Sequence, residues 1–139
     1  MTSQPLADFE LATRPLASPY AAWWAGIAPS ELRPLCERAQ AEGGRLVALW
    51  GCDDTDRAAG FRLKVALLLR AGLVCVDVVL PAEHPHYDSI ADIYPAAARM
   101  QRATYDLLGL QAQASPDARK WLRHGAWPDG LFPLRRSVP

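Results

Sequence analysis

Paired cysteines, phosphate-cradling glycine loops, long apolar runs and lysine are absent or scarce in this chain, and most of these gaps remove a class of function. The three cysteines, Cys36, Cys52 and Cys75, are odd in number and widely spaced, with no C-x-x-C pair. That pattern excludes a disulfide framework and an iron–sulfur centre held by this chain, and predicts reduced thiols in a cytosolic compartment. Cys36 and Cys75 fall on or beside apolar patterns and read as small core hydrophobes; Cys52, at the start of a loop, stays open. No apolar run approaches the roughly 18 residues of a membrane span. The opening MTSQPLADFE lacks the charged-then-apolar plan of a signal peptide. The expectation is a cytoplasmic protein with no direct membrane insertion. Glycines are scattered or lie in turns, so no phosphate loop is present. Neither G-x-S-x-G nor a Ser–His pairing marks a serine nucleophile. No catalytic residue and no cofactor in this chain are predicted.

What is present is ordinary in bulk and uneven in detail. At 139 residues the chain is long enough for one domain with a single core. Fifteen acids balance fifteen Lys and Arg, for a formal net charge of zero. That balance argues against nucleic acid or an anionic membrane surface as a partner. Lysine is confined to Lys64 and Lys120. The late residues Arg119, Arg123, Arg135 and Arg136 make the C-terminal end locally basic, either as a solvated surface or as a docking face.

Periodicity places the elements. Residues 1–18 are a poorly specified arm, residues 19–110 a core domain, and residues 111–139 a short helix plus an extended docking tail. YAAWWAGI (Tyr20 to Ile27) reads as a short strand. Leu32, Leu35, Cys36 and Ala39 share one helical face, with Pro34 tolerable only near the first turn and Gly43-Gly44 as the stop. RLVALWG (Arg45 to Gly51) is a near-continuous apolar run, as in a strand covered on both faces. FRLKVALLLR and LVCVDVVLP alternate cleanly and form a hairpin, with Phe61, Leu63, Val65, Leu67 and Leu69 inward beside Val74, Val76, Val78 and Leu80. A helix follows from Pro95, with Ala97, Met100, Thr104, Leu107 and Leu108 as its buried stripe and Gly109 closing it. Ser115-Pro116-Asp117 has the signature of a helix start running through Trp121 and Leu122 to Gly125. The fold class is therefore α+β: two layers, one mixed or antiparallel sheet of about four strands, helices on one face, and an extended C-terminal tail.

Chemical candidates are few. Asp53, Asp54 and Asp56 lack the glycine and distant glutamate of a calcium loop and read as a solvated turn. In EHPHY, His84 and His86 are the weak candidates for a metal, but Pro85 sits between them and zinc wants three or four protein ligands. A free-standing metal- or small-molecule-binding domain using this loop is the alternative reading of the whole chain. Asp106 lies in the last turn of its helix, where the dipole opposes a carboxylate. A partner is expected: Arg102 one turn back, or a tail arginine, Arg119, Arg135 or Arg136.

The segments SIADIYPAAARMQRATYDLLGL, SPDARKWL and WPDGLFPLRR resemble, in order, three signature blocks of the C subunit family of the proton-translocating NADH:quinone oxidoreductase (respiratory complex I). That family carries a helix reading Glu-Arg-Glu-x-x-Asp-x-Phe-Gly-Ile, then Gly-His-Pro-Asp-Leu-Arg-Arg, then Pro-Leu-Arg-Lys-Asp. EGGRLVALWGCDD and WPDGLFPLRR look especially like the version fused to the large subunit of membrane-bound nickel–iron hydrogenases and formate hydrogenlyases. Arg102, Asp106 and Gly109 match the first block, Pro116, Asp117 and Arg119 the second, and Pro133, Leu134 and Arg135 the third, with Arg136 for its Lys. Gln101 and Ala103 stand where the family has glutamates, Leu108 where it has an aromatic, Ala114-Ser115 where it has Gly-His, and Ser137 for the closing Asp. The resemblance implies a scaffold without a redox centre, peripheral to the inner membrane through its complex. It would pack on a large quinone-site or nickel–iron hydrogenase-like subunit and touch a small iron–sulfur subunit. With the signature positions, Trp121 and Trp127 complete the expected docking residues, in keeping with the aromatic and Arg content of interface hot spots.

Overall fold

A computed structural model describes residues 13–57, 60–123 and 125–138. Strands β1 (Thr13–Pro15) and β2 (Ala22–Ile27) precede helix α1 (Leu32–Ala41). Strands β3 (Arg45–Asp53), β4 (Phe61–Leu69) and β5 (Gly72–Leu80) follow. The chain continues through β6 (His86–Asp88), helix α2 (Ala97–Leu108) and β7 (Gln111–Gln113). Five strands form one sheet in the order β1-β2-β5-β4-β3, mixed because β2 runs parallel to β5 while the other pairs are antiparallel. A separate two-stranded parallel sheet joins β6 to β7.

The hairpin has the expected register. Val65 lies opposite Val76 and Leu63 opposite Val78, all four fully buried. Leu32, Leu35, Cys36 and Ala39 of α1 pack on this face, with Ala97 and Leu108 of α2 in the same core. The two helices thus form the second layer. Pro34 falls in the first turn of α1, where its missing N–H costs nothing. Cys36 is fully buried, and burial pushes its thiol up to about 12. Cys52 and Cys75 are half-buried free thiols.

Three expectations need correction. β3 is not a covered strand but the edge of the sheet, with Val47 51% and Trp50 40% exposed. Helix α2 begins at Ala97 rather than at Pro95, which lies in the turn before it. Residues 115–123 form no helix: they run irregularly over α2 after β7 ends at Gln113. Within α2, Met100 and Leu107 are only partly buried, while Gln101 and Asp106 are buried to 2% exposure. Gln101 is satisfied there, its Oε1 accepting the Ile90 amide at 3.0 Å and its Nε2 donating to Ser89 Oγ at 2.8 Å.

Candidate docking site on the second helix and the C-terminal segment

Part of the expected docking set, Asp106, Arg102, Asp117, Arg119 and Trp121, meets at the last turns of α2. Asp106 Oδ2 accepts the backbone N–H groups of Trp121, Leu122 and Arg123 at 2.9, 2.7 and 3.1 Å. Burial by itself would raise this carboxyl; the three amides, aided by the Arg123 charge, outweigh it and hold it below the usual carboxylate range. The partner of Asp106 is therefore a backbone turn rather than a side chain of Arg102, Arg119, Arg135 or Arg136. The dipole misfit was a true signal, but residue type could not reveal a main-chain donor.

Arg102 holds the same stretch from its carbonyl side. Its Nε donates to Arg119 O at 2.7 Å and one terminal nitrogen to Lys120 O at 3.0 Å, while the other reaches Asp117 at 3.3 Å. Asp117 in turn accepts from the Arg119 amide and guanidinium, and these contacts, Arg119 foremost, keep its carboxyl low. Trp121 lies under the guanidiniums of Arg99 and Arg102, at 5.3 and 4.9 Å, with 46% of its surface exposed. Beside this arrangement a cavity of about 190 Å³ opens, lined by Gln101, Arg102, Tyr105, Asp106 and Gln111.

The final residues are tied down in two further places. Leu134 donates its amide to Leu107 O at 3.0 Å, and Arg135 Nε donates to Leu108 O at 2.7 Å, satisfying carbonyls left open at the end of α2. The Arg135 guanidinium is sandwiched between Phe61 and Phe132, at 4.9 and 4.5 Å from their ring centres. Arg136 donates its amide to Asp53 Oδ2 at 2.7 Å and its Nε to Asp53 O at 2.9 Å. Asp53 is thus not part of a solvated turn. Burial opposes its charge, but Thr55 and the Arg136 amide lower its carboxyl overall. Arg123 is buried, donates to Leu131 O at 3.0 Å, and lies over Trp127 and Phe132. Trp127 and Phe132 are half-buried, whereas Leu122, Leu131 and Leu134 remain exposed. Pro116 and Pro133 are exposed at bends of the segment.

His84 and His86 lie on the surface with ring centres 6.3 Å apart, His86 opening β6. No group of three or more metal-binding side chains occurs among the described residues, and His124 lies outside them.

The family model described as "Respiratory-chain NADH dehydrogenase, 30 Kd subunit" matches residues 25–139, which takes in β3, β4 and β5, the end of β2, both helices and the clasped segment. The chain belongs to this family. Among curated relatives, formate hydrogenlyase subunit 5 of Escherichia coli (strain K12) is 33% identical over 99 residues, covering 69% of this chain and 17% of that protein. The C/D subunit of the NADH-quinone oxidoreductase of Rhodopseudomonas palustris (strain HaA2) is 32% identical over 103 residues, covering 68% and 17%. The chain therefore spans about a sixth of the length of these relatives. Among solved structures, a trypsin-resistant fragment of Nqo5 superposes with a TM-score of 0.69 over 80% of this chain and 92% of its own, at 18% identity. An archaeal respiratory membrane complex, the membrane-bound sulfane sulfur reductase, contains a chain that superposes at 0.75 over 90% and 75%, at 17% identity. At such identities the likeness is one of fold. No helix among the described residues is long and apolar enough to cross a membrane.

Proposed function

We propose that this family member is a non-catalytic scaffold within a multi-subunit oxidoreductase of the NADH:quinone or hydrogenase type, with α2 and residues 111–139 forming its main docking surface. The observation that carries the reading is the clasp. Asp106, Arg102 and Asp53 spend buried or half-buried polar contacts on fixing the C-terminal segment, yet leave Trp121, Leu122, Leu131 and Leu134 exposed along it. Ordering a segment costs entropy, and the apolar surface that these side chains keep in water offsets none of it. A partner that covers them would. The segment is thus presented in shape for a neighbour, with Trp121 and the cavity at Tyr105 as the anchor points. The neighbour that family membership suggests is a large quinone-site or nickel–iron hydrogenase-like subunit, with a small iron–sulfur subunit beside it. The complex would sit at the inner membrane on its cytoplasmic side, while the chain itself holds no redox group.

The test is co-expression with the large-subunit gene nearest this one. The native chain should co-purify stoichiometrically, and Trp121→Glu with Leu134→Glu should abolish association while leaving the melting temperature of the isolated chain within a few degrees. Association unaffected by the pair would overturn the assignment of the surface. A redox chromophore with turnover in the isolated chain would overturn the scaffold reading.

A further inference from the structure

An open groove of about 890 Å³ runs between the start of α2 and residues 117–121. Four cations line it, Arg99, Arg102, Arg119 and Lys120, against one acid, Asp117. Behind them Arg123, Asp106 and Asp129 add one cation and two acids, so a positive excess remains. Asp92, the acid next before α2 in the chain, is held by Arg33 at 2.6 Å.

Three of the four lining cations are occupied. Arg102 holds the carbonyls of Arg119 and Lys120, Arg119 pairs with Asp117, and Lys120 reaches Asp129 at 3.4 Å. Arg99 is not. It is exposed and lies 5.3 Å from the Trp121 ring centre. Its guanidinium has no ion pair or hydrogen bond among the described residues.

Arg99 is also placed against local preference. It is the third residue of α2, where the positive end of the dipole disfavours a cation, and neither a side-chain cap nor a first-turn acid offsets it. Asp106 has the opposite misfit at the other end of the helix, and three amides of this chain resolve it. The misfit at Arg99 stays open within the described chain. Contact with the Trp121 ring orients the guanidinium without neutralising it.

We infer that this groove binds an acidic segment of the partner subunit, with an Asp or Glu carboxylate seated on Arg99 beside Trp121. The inference deepens the proposed scaffold role and rests on it. A carboxylate there meets a planar donor fork and an uncompensated helix end together. A second copy of this chain has no matching acidic cluster to offer. Of the described acids only Glu83 and Asp88 lack a bonded partner, and Asp88 lies near Arg33. An anionic membrane would want several free cations on one surface, whereas Arg119 and Lys120 are offset by Asp117 and Asp129.

The test uses the tagged full chain co-expressed with its large-subunit partner. Arg99→Glu should weaken association at least tenfold. An acid is favoured at this third helical position, so the melting temperature of the isolated chain should hold or rise. Arg99→Lys keeps the charge and supplies an amine. It should retain association and give zero-length carbodiimide cross-links to an Asp or Glu of the partner. Changing that acid to Lys should restore association with the Arg99→Glu chain. Should Arg99→Glu fail to fold, Arg99→Gln replaces it, and should weaken association and flatten its dependence on salt. Unchanged association in the Arg99 variants, while Trp121→Glu with Leu134→Glu abolishes it, would overturn the inference and leave the scaffold reading standing. Cross-links only to Asp8 or Glu10 of this chain, or only between two copies, would also overturn it. So would binding to phosphatidylcholine vesicles containing phosphatidylglycerol that Arg99→Glu removes. Association indifferent to every one of these substitutions would overturn both readings.

Discussion

Asp106 Oδ2 lies 2.7 Å from the amide nitrogen of Leu122, and the amides on either side, of Trp121 and Arg123, point at the same oxygen. One acid on α2 thereby shapes a segment with no regular structure of its own. Arg102, one turn earlier, takes the carbonyls of Arg119 and Lys120. The two side chains grip one short stretch from its donor and acceptor sides.

Asp106→Asn should therefore destabilise the domain by about 1.5–3 kcal/mol, since it removes a charged acceptor of hydrogen bonds. Arg119→Gln should cost far less, because Arg119 is largely exposed and solvent screens its pairing with Asp117. Chemical denaturation ranks the two, and trypsin cleavage after Lys120 and Arg123, sites that both variants keep, should accelerate only in the Asp106 variant. Equal losses would mean that a side-chain ion pair, not the backbone turn, holds the segment.

The pH dependence follows from two carboxylates that hold the C-terminal segment. Asp106 and Asp53 are both lowered in the folded state, so their contribution is fully present above the unfolded Asp value of about 3.9 and is lost as pH falls through the folded value below it. Tryptophan emission from Trp121 and Trp127 should stay flat from pH 8 to 5 and report release of the segment below about pH 4. A transition near pH 6 would require a different group.

How much of this could be seen in the sequence depends on where each residue's partner lies. The hairpin and α1 were legible because alternation and 3.6-residue periodicity record which side faces the core, and Val65, Val76, Leu35 and Ala39 do face it. Nothing in RLVALWG records its place in the sheet, so an edge strand read as a covered one. β6 and β7, at three residues each, are too short to show a period. The Ser115-Pro116-Asp117 signature is real locally, since Asp117 does accept the Arg119 amide at 3.1 Å. A helix beyond it would need the carbonyls and amides of residues 119–123 for itself. Arg102 and Asp106 take them instead, and tertiary contacts override the local preference.

The core register gives a third prediction. Val65→Asp and Val76→Asp each bury an unpaired carboxylate at a fully buried site, and each should prevent folding or cost more than about 4 kcal/mol. Lys64→Asp, on the opposite face, should cost less but not nothing. It removes a partner of the buried Asp77 and sets a second acid beside it, for about 1–3 kcal/mol. Lys64→Met should fall between Lys64→Asp and the native chain in urea denaturation. The reverse ranking would displace the strand register by one residue.

The last prediction compares two left-handed positions flanking β7. Gly109, at φ +76°, ends α2, and a Cβ there would meet a terminal nitrogen of Arg135 and lie 2.9 Å from the Phe132 ring. Gly109→Ala thus combines left-handed strain of about 1–2 kcal/mol with displacement of both residues that close the clasp, so stability and tail protection should fall together. Ala114 is the one described non-glycine residue at positive φ, +58°. Its side chain is exposed, so nothing is lost by removing it. Ala114→Gly should relieve the strain at the smaller cost of about 0.5–1 kcal/mol in unfolded-chain entropy. The net expectation is a gain of up to about 1 kcal/mol, with Asp117 and Arg102 contacts unchanged. Thermal denaturation of the two variants side by side is the measurement. A loss at both positions would mean that Ala114 does not adopt the left-handed conformation, and that the segment after β7 follows a different path into the Asp106 turn.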